Sequence, residues 1–157
     1  MTEEQKVGPE AVVTLREITR ETVGQICDLS DTLSEQQQEM VAPNAKSIAQ
    51  AHFEPKAWFR AIYADETPVG FIMLYDDPDG PEYFLWRLMI AAPHQRKGYG
   101  RRAVAQLIEY VRTRPGAVEL RVSYVPIEGG PKEFYHKLGF EPTGQKVGDE
   151  IMMRLLL

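Results

Sequence analysis

One stretch, residues 82–112, constrains the fold of this chain more than any other. Residues 82–90 read as a strand, and residues 100–112 put Ala103, Val104, Leu107, Ile108 and Val111 on one face of a helix. Gln95-Arg96-Lys97-Gly98-Tyr99-Gly100 stands between them. A helix with one apolar face, entered from a strand through a glycine turn, has to bury that face on a sheet, so the chain must build an α/β layer structure. The same turn suggests chemistry. Its glycines let backbone approach a ligand closely, and the first amides of the helix, with its dipole, make an anion site. Arg96, Lys97, Arg101 and Arg102 crowd the helix end where the macrodipole disfavours positive charge. That cluster makes sense with a multiply charged anion bound there; the alternative is a solvated basic helix start. The segment lacks the GK[ST] ending of a P-loop and the full GxGxxG of a dinucleotide site.

The flanking sequence supplies the rest of the sheet. Residues 12–18 alternate and favour β-branched side chains, as a first strand does. Thr19 opens a helix to about Leu29, with Val23, Ile26 and Leu29 inward. Ser34 opens a second helix through Met40, which Pro43-Asn44 breaks, and a third covers about 45–53. Residues 58–64 and 69–75 flank Asp65-Glu66-Thr67-Pro68, a hairpin signal, and the turn cluster at 76–81 leads into 82–90. Beyond the long helix, Pro115-Gly116 turns into a strand at 118–124. Pro131 starts a short helix, Gly139 caps it, and 150–156 is a last strand. The order is β, helices, βββ, helix, β, helix, β, which reads as an α/β sandwich around a mixed sheet.

At 157 residues the chain reads as one domain, 1–157, with the polar residues 1–11 frayed at its start. A single cysteine, Cys27, excludes an internal disulfide and favours a reducing compartment; core packing explains it better than nucleophilic work. With no apolar run long enough for a membrane span and no secretory pattern at the N-terminus, the expectation is a soluble, cytoplasmic protein. His52, His94 and His136 lack metal-ligand spacing, so no metal is expected. The net charge of −5 argues against nucleic acid. It hides an asymmetry, because residues 1–86 carry 6 Lys/Arg against 16 Asp/Glu while residues 87–157 carry 12 against 7. Arg87, a charge inside a strand, reads as pairing with an acid or lining a channel.

With its glutamine and two glycines, Gln95-Arg96-Lys97-Gly98-Tyr99-Gly100 resembles the [QR]-x-x-G-x-[GA] signature of the GNAT N-acetyltransferases, and the element order is similar over nearly the whole chain. The resemblance implies the GNAT fold, a central mixed and mostly antiparallel sheet flanked by helices on both faces. It implies acetyl-CoA as co-substrate, its pyrophosphate on the amides and side chains of Gln95, Arg96, Lys97, Gly98, Tyr99, Gly100 and Arg101. It also implies that the preceding strand splays from its neighbour and offers backbone at Leu88, Met89 and Ile90 to the pantetheine and thioester. Tyr135, in Phe134-Tyr135-His136-Lys137-Leu138-Gly139-Phe140, matches the tyrosine that protonates the leaving thiolate in many members. Many members pair into homodimers; the apolar end, Leu155-Leu156-Leu157, would serve such an interface or finish the core.

A narrower likeness joins 41–44, 47–50, 85–90, 143–144 and 148–150, which resemble the bacterial spermine/spermidine (diamine) acetyltransferases. It implies a small polyamine acceptor attacked directly in a ternary complex; another amine (aminoglycoside, amino acid or peptide N-terminus) and a non-catalytic acyl-CoA-binding module are the alternatives. Glu128 stands near a position where that branch often has asparagine. The acidic first half suits a polycation, with Glu17, Asp28, Asp31, Glu35 and Glu54 as candidates. Amine acceptors are protonated at neutral pH, so a base is needed, and Glu82 is the nearest carboxylate in sequence to the fourth strand's core.

Overall fold

In a computed structural model of the chain, which describes residues 7–157, the apolar runs in the middle of the sequence become the centre of one sheet. Its strands are β1 (Val13–Arg16), β2 (Ala57–Ala64), β3 (Thr67–Asp77), β4 (Glu82–Ile90), β5 (Glu119–Tyr124), β6 (Glu141–Val147) and β7 (Glu150–Leu156). They lie in the order β1-β2-β3-β4-β5-β7-β6, antiparallel throughout except for the parallel pair β4–β5. The helices α1 (Val23–Asp28), α2 (Glu35–Met40) and α3 (Asn44–Phe53) come between β1 and β2, and Ile26 packs with Phe71, Met73 and Met89 on one sheet face. On the other face α4 (Tyr99–Arg112) buries Ala103, Val104, Leu107, Ile108 and Val111, joined by Tyr135 of α5 (Lys132–Lys137). The central strand β3 is thus covered on both sides, which is why it reads as an unbroken apolar run rather than an alternating one.

Local chemistry sets the boundaries. Ser34 and Gln37 form a reciprocal cap on α2, each side chain accepting the other's backbone amide at 3.2 Å. The first helix starts at Val23 rather than Thr19, because residues 19–22 form a turn in which Thr22 Oγ1 accepts the Thr19 amide at 2.9 Å. Strand β6 is a correction to the sequence reading. Pro142, Gly144 and largely exposed side chains hide it, yet it pairs with β7 at the sheet edge, with its register broken between Pro142 and Lys146. An edge tolerates proline and glycine, since one side of the strand needs no ladder.

The frayed segment expected at 1–11 falls partly on residues 1–6, outside the described residues. Residues 7–11 are fastened: the carbonyls of Val7, Gly8, Pro9 and Ala11 accept bonds from Lys97, Tyr99 and Arg102, and Ala11 is buried. At the other end Leu155 and Leu157 pack against the core and Leu156 is exposed.

Gly70 marks the tightest strand contact, since a Cβ there would overlap the Met89 carbonyl. Gly70→Ala is expected to lower stability by about 1–3 kcal/mol, the usual cost of overpacking a core. Urea unfolding with an unchanged midpoint would show that β3 and β4 can separate at no cost.

Candidate active site

The opening in the sheet begins with one extra residue. Leu74 pairs with Leu85 and Met73 with Arg87, leaving Trp86 as a bulge in β4. Bulges bend a strand and raise its twist, and β4 keeps its parallel pairing with β5 only at Phe84–Arg121 and Leu85–Val122. Beyond that point the strands part. A cleft of about 1100 Å³ opens between Leu88, Met89 and Ile90 on one side and Ser123, Tyr124 and Val125 on the other, with residues 37–43 along a further wall. The splay expected at these three β4 positions is therefore present, and no strand pairs with β4 on that side beyond Leu85. The Met89 side chain turns to the opposite face, where its sulfur lies 3.6 Å from Asn44 Nδ2.

One end of the cleft is the start of α4. Gly98 is its N-cap at φ +82°, with no side-chain cap, and Arg96 is left-handed at φ +64°. The amides of Tyr99, Gly100 and Arg101 belong to the first turn, whose N–H groups have no acceptor within the helix. Gly100 stands where a Cβ would lie 3.4 Å from the Phe134 ring and 3.6 Å from Ile90, so the glycine keeps that passage open. Arg96 and Arg101 line the cleft. Uncapped amides, two guanidinium groups and a long half-apolar trough fit the phosphates and extended arm of a coenzyme A thioester.

The structure divides the basic cluster that the sequence presents as one. Lys97 and Arg102 are not on the cleft wall. Lys97 Nζ donates to the Val7 carbonyl at 2.9 Å, and Arg102 donates to Ala11 at 2.6 Å and Pro9 at 2.8 Å. Tyr99 is buried with its hydroxyl donating to Gly8 at 2.6 Å, which leaves its amide for a ligand. Gln95 acts as a brace, donating to the Ile90 carbonyl at 2.8 Å and accepting from Gln37 at 3.1 Å. All four side chains hold the loop in shape, Lys97 and Arg102 from off the cleft wall and Gln95 and Tyr99 on it.

Tyr135 lines the cleft with 7% of its surface exposed, wedged edge-to-face between Phe134 and Phe140. Burial pushes its phenol well above the ordinary value. Its hydroxyl bonds to no described residue, so it can donate into the cleft.

Glu82 does not join this site. It is exposed at the far end of β4, six residues before Leu88, or about 20 Å along a strand, and it borders a separate depression with Tyr75, Pro81 and Tyr83. Among the described residues the carboxylates on the cleft wall are Glu39 and Glu150. Glu150 opens β7 beside β5 and accepts the Ser123 hydroxyl at 3.4 Å. Only strand order brings it there; its sequence signals are the Gly148-Asp149 turn before it and its place in the 148–150 segment of the narrower likeness. Glu17, Asp28, Asp31, Glu35 and Glu54 all lie off the cleft wall. So does the exposed Glu128, whose backbone carbonyl takes Gln36 at 3.0 Å while Gly129, Gly130 and Pro131 face the cleft.

His94 is buried beside the loop with no partner for Nδ1 among the described residues, and burial lowers its pKa. The folded protein therefore binds its proton less readily than the unfolded chain, and stability falls as pH drops below the ordinary histidine value. His94→Gln is expected to flatten the fall in Tm between pH 7 and 5. Parallel melting curves for parent and variant would argue against this. Among the described residues no three His, Cys, Asp or Glu side chains are grouped to hold a metal ion, and no helix is long and apolar enough to cross a membrane.

A mixed sheet split between parallel neighbours, with an uncapped helix start at the mouth of the split, defines a transferase that works on an acyl-CoA thioester. The chain belongs to the Acetyltransferase (GNAT) family, whose model matches residues 20–140, and it is an acetyl-CoA-dependent acetyltransferase of that family. Solved structures share the fold. An acetyltransferase from Thermus thermophilus superposes with a TM-score of 0.75 at 17% identity, covering 93% of this chain and 97% of that one. The PaiA N-acetyltransferase of Thermoplasma acidophilum, in complex with coenzyme A, gives 0.68 at 18% identity over 93% and 99%. The ribosomal-protein-S18-alanine N-acetyltransferase of Escherichia coli gives 0.68 at 15% over 92% and 94%. No curated protein matches the chain significantly.

Proposed function

We propose that this chain moves the acetyl group of acetyl-CoA directly to a primary amine of a small acceptor in a ternary complex. The observation that carries the reading is the cleft itself, which runs from the uncapped start of α4 past the unpaired edge of β4 to the Tyr135 hydroxyl. The thioester supplies an activated acyl carbon. The amides of residues 98–101, with Arg96 and Arg101, hold the phosphates, and backbone at Leu88, Met89 and Ile90 aligns the arm. The new bond joins amine nitrogen to acyl carbon as the carbon–sulfur bond breaks, and the second proton of that nitrogen passes to the departing sulfur or to water. Glu150 replaces Glu82 as the group that takes the proton from the ammonium, directly or through water. Tyr135 donates to the departing sulfur. Because burial raises its pKa, complete proton transfer is uphill, and a strong hydrogen bond to the thiolate is its main contribution.

The finer expectation is spermine, spermidine or a diamine, supported by the branch-like segments. Its acidic lining reduces to Glu39 and Glu150, opposed by Lys46 and Arg87. A second reading, an amine that also carries an acid, is favoured by Arg87. Thiol release from acetyl-CoA with spermine, spermidine, putrescine, an aminoglycoside, amino acids and short peptides tests the reaction. Release with any of these amines, rising with pH as the ammonium loses its proton, is expected; acetyl-CoA binding with no release would leave an acyl-CoA-binding module.

A further inference from the structure

The cleft wall carries a half-buried cation, Arg87, that the transfer chemistry leaves unused. Arg87 follows the Trp86 bulge, and its register opposite Met73 turns it toward the face covered by α1 and α3. Its guanidinium donates to Gln50 Oε1 at 3.1 Å and to the Trp86 carbonyl at 3.1 Å. Buried Nε makes no hydrogen bond, and no ion pair among the described residues includes Arg87. Burial works against its charge, and Glu150 is near enough to favour it. Arginine does not escape such a position by losing its proton, so a half-buried guanidinium without a carboxylate partner costs free energy until an anion arrives. Three of its five N–H groups have no hydrogen-bond partner, the buried Nε–H among them, and the planar guanidinium matches a carboxylate.

Glu150 lines the same cleft from β7, one oxygen taking the Ser123 hydroxyl. Acid and base thus line one cleft, near enough for the charge of Glu150 to act on Arg87. We infer that the acceptor is a primary amine that also carries a carboxylate, an amino acid or short peptide, with the carboxylate on Arg87 and the amino group toward Glu150. This rests on the proposed transfer reaction and names its substrate class. A polyamine would bring several positive charges against Arg87 and Lys46, with no anion of its own to satisfy the open guanidinium.

The test follows thiol release from acetyl-CoA with L-alanine, L-glutamate, Gly-Gly and Ala-Ala, each beside its C-terminal amide, and with spermidine and putrescine. At least one carboxylate acceptor is expected to exceed its amide by about 30-fold or more in kcat/KM, the size set by a desolvated charge pair. Arg87→Gln should abolish that ratio and Arg87→Lys restore part of it, with Tm and acetyl-CoA affinity confirming that both variants fold. Ratios near one, or spermidine turned over better than every carboxylate acceptor, overturn the inference. Should no acceptor release thiol, the transfer reading fails, and calorimetric titration of the CoA-saturated protein with N-acetylalanine and N-acetylalaninamide decides Arg87 separately. Tighter binding of the acid, lost in Arg87→Gln, upholds its role; equal binding refutes it.

Discussion

Tyr135→Phe is expected to lower kcat by about 100-fold or more, the scale of a lost proton or hydrogen-bond donor at a reacting atom, while acetyl-CoA affinity stays close to the parent's. The reasons for the split are local. The ring keeps its edge-to-face contacts with Phe134 and Phe140, so the wall of the cleft is unchanged. The hydroxyl bonds to no described residue, so its removal strands no partner and Tm should hold. The pH profile adds a second check. Burial holds the phenol protonated beyond its ordinary range, so the parent's alkaline limb should show no loss of activity near pH 10 from this residue. A Tyr135→Phe enzyme with the parent's kcat would remove the tyrosine from the mechanism.

The second large effect belongs to Gly98, and it should appear in the cofactor rather than in the chemical step. At φ +82° this residue turns the chain so that the first amides of α4 converge on the cleft. A β-branched side chain is strained there by about 1–2 kcal/mol or more, and Gly98→Val would escape by rotating the turn. Two or three charge-assisted hydrogen bonds, worth roughly 1.5–3 kcal/mol each, would be lost or bent. Acetyl-CoA affinity is expected to fall by about 100-fold or more, with the amphipathic face of α4 still buried and the far-ultraviolet circular dichroism retained. Direct titration with acetyl-CoA measures it. Unaltered binding would mean that Arg96 and Arg101 suffice without the amides.

The parts of the fold legible in the sequence are those built from local patterns. The α4 face, the Ser34 cap, the hairpin at 65–66 and the bounds of β4 need only neighbouring residues and periodicity. Strand β6 escaped because an edge strand tolerates the proline and glycine that elsewhere signal a turn. Within the site, Gly98, Gly100 and Tyr135, singled out through the family resemblance, line the cleft. Glu82 does not, because nearness in sequence along an extended strand is distance in space.

The sequence by itself determined an α/β chain with a glycine-started helix, a candidate anion site at its first turn and a tyrosine on the helix that follows. Tertiary structure decided which charges serve that site. Adjacent residues at a helix start point in different directions, so Arg96 and Arg101 face the cleft while Lys97 and Arg102 tie down residues 7–11. Strand order carries Glu150 to the edge of β5, and a one-residue bulge opens the space that Arg87 shares with it. Those placements come from hydrogen-bond ladders between segments dozens of residues apart, which no local periodicity records.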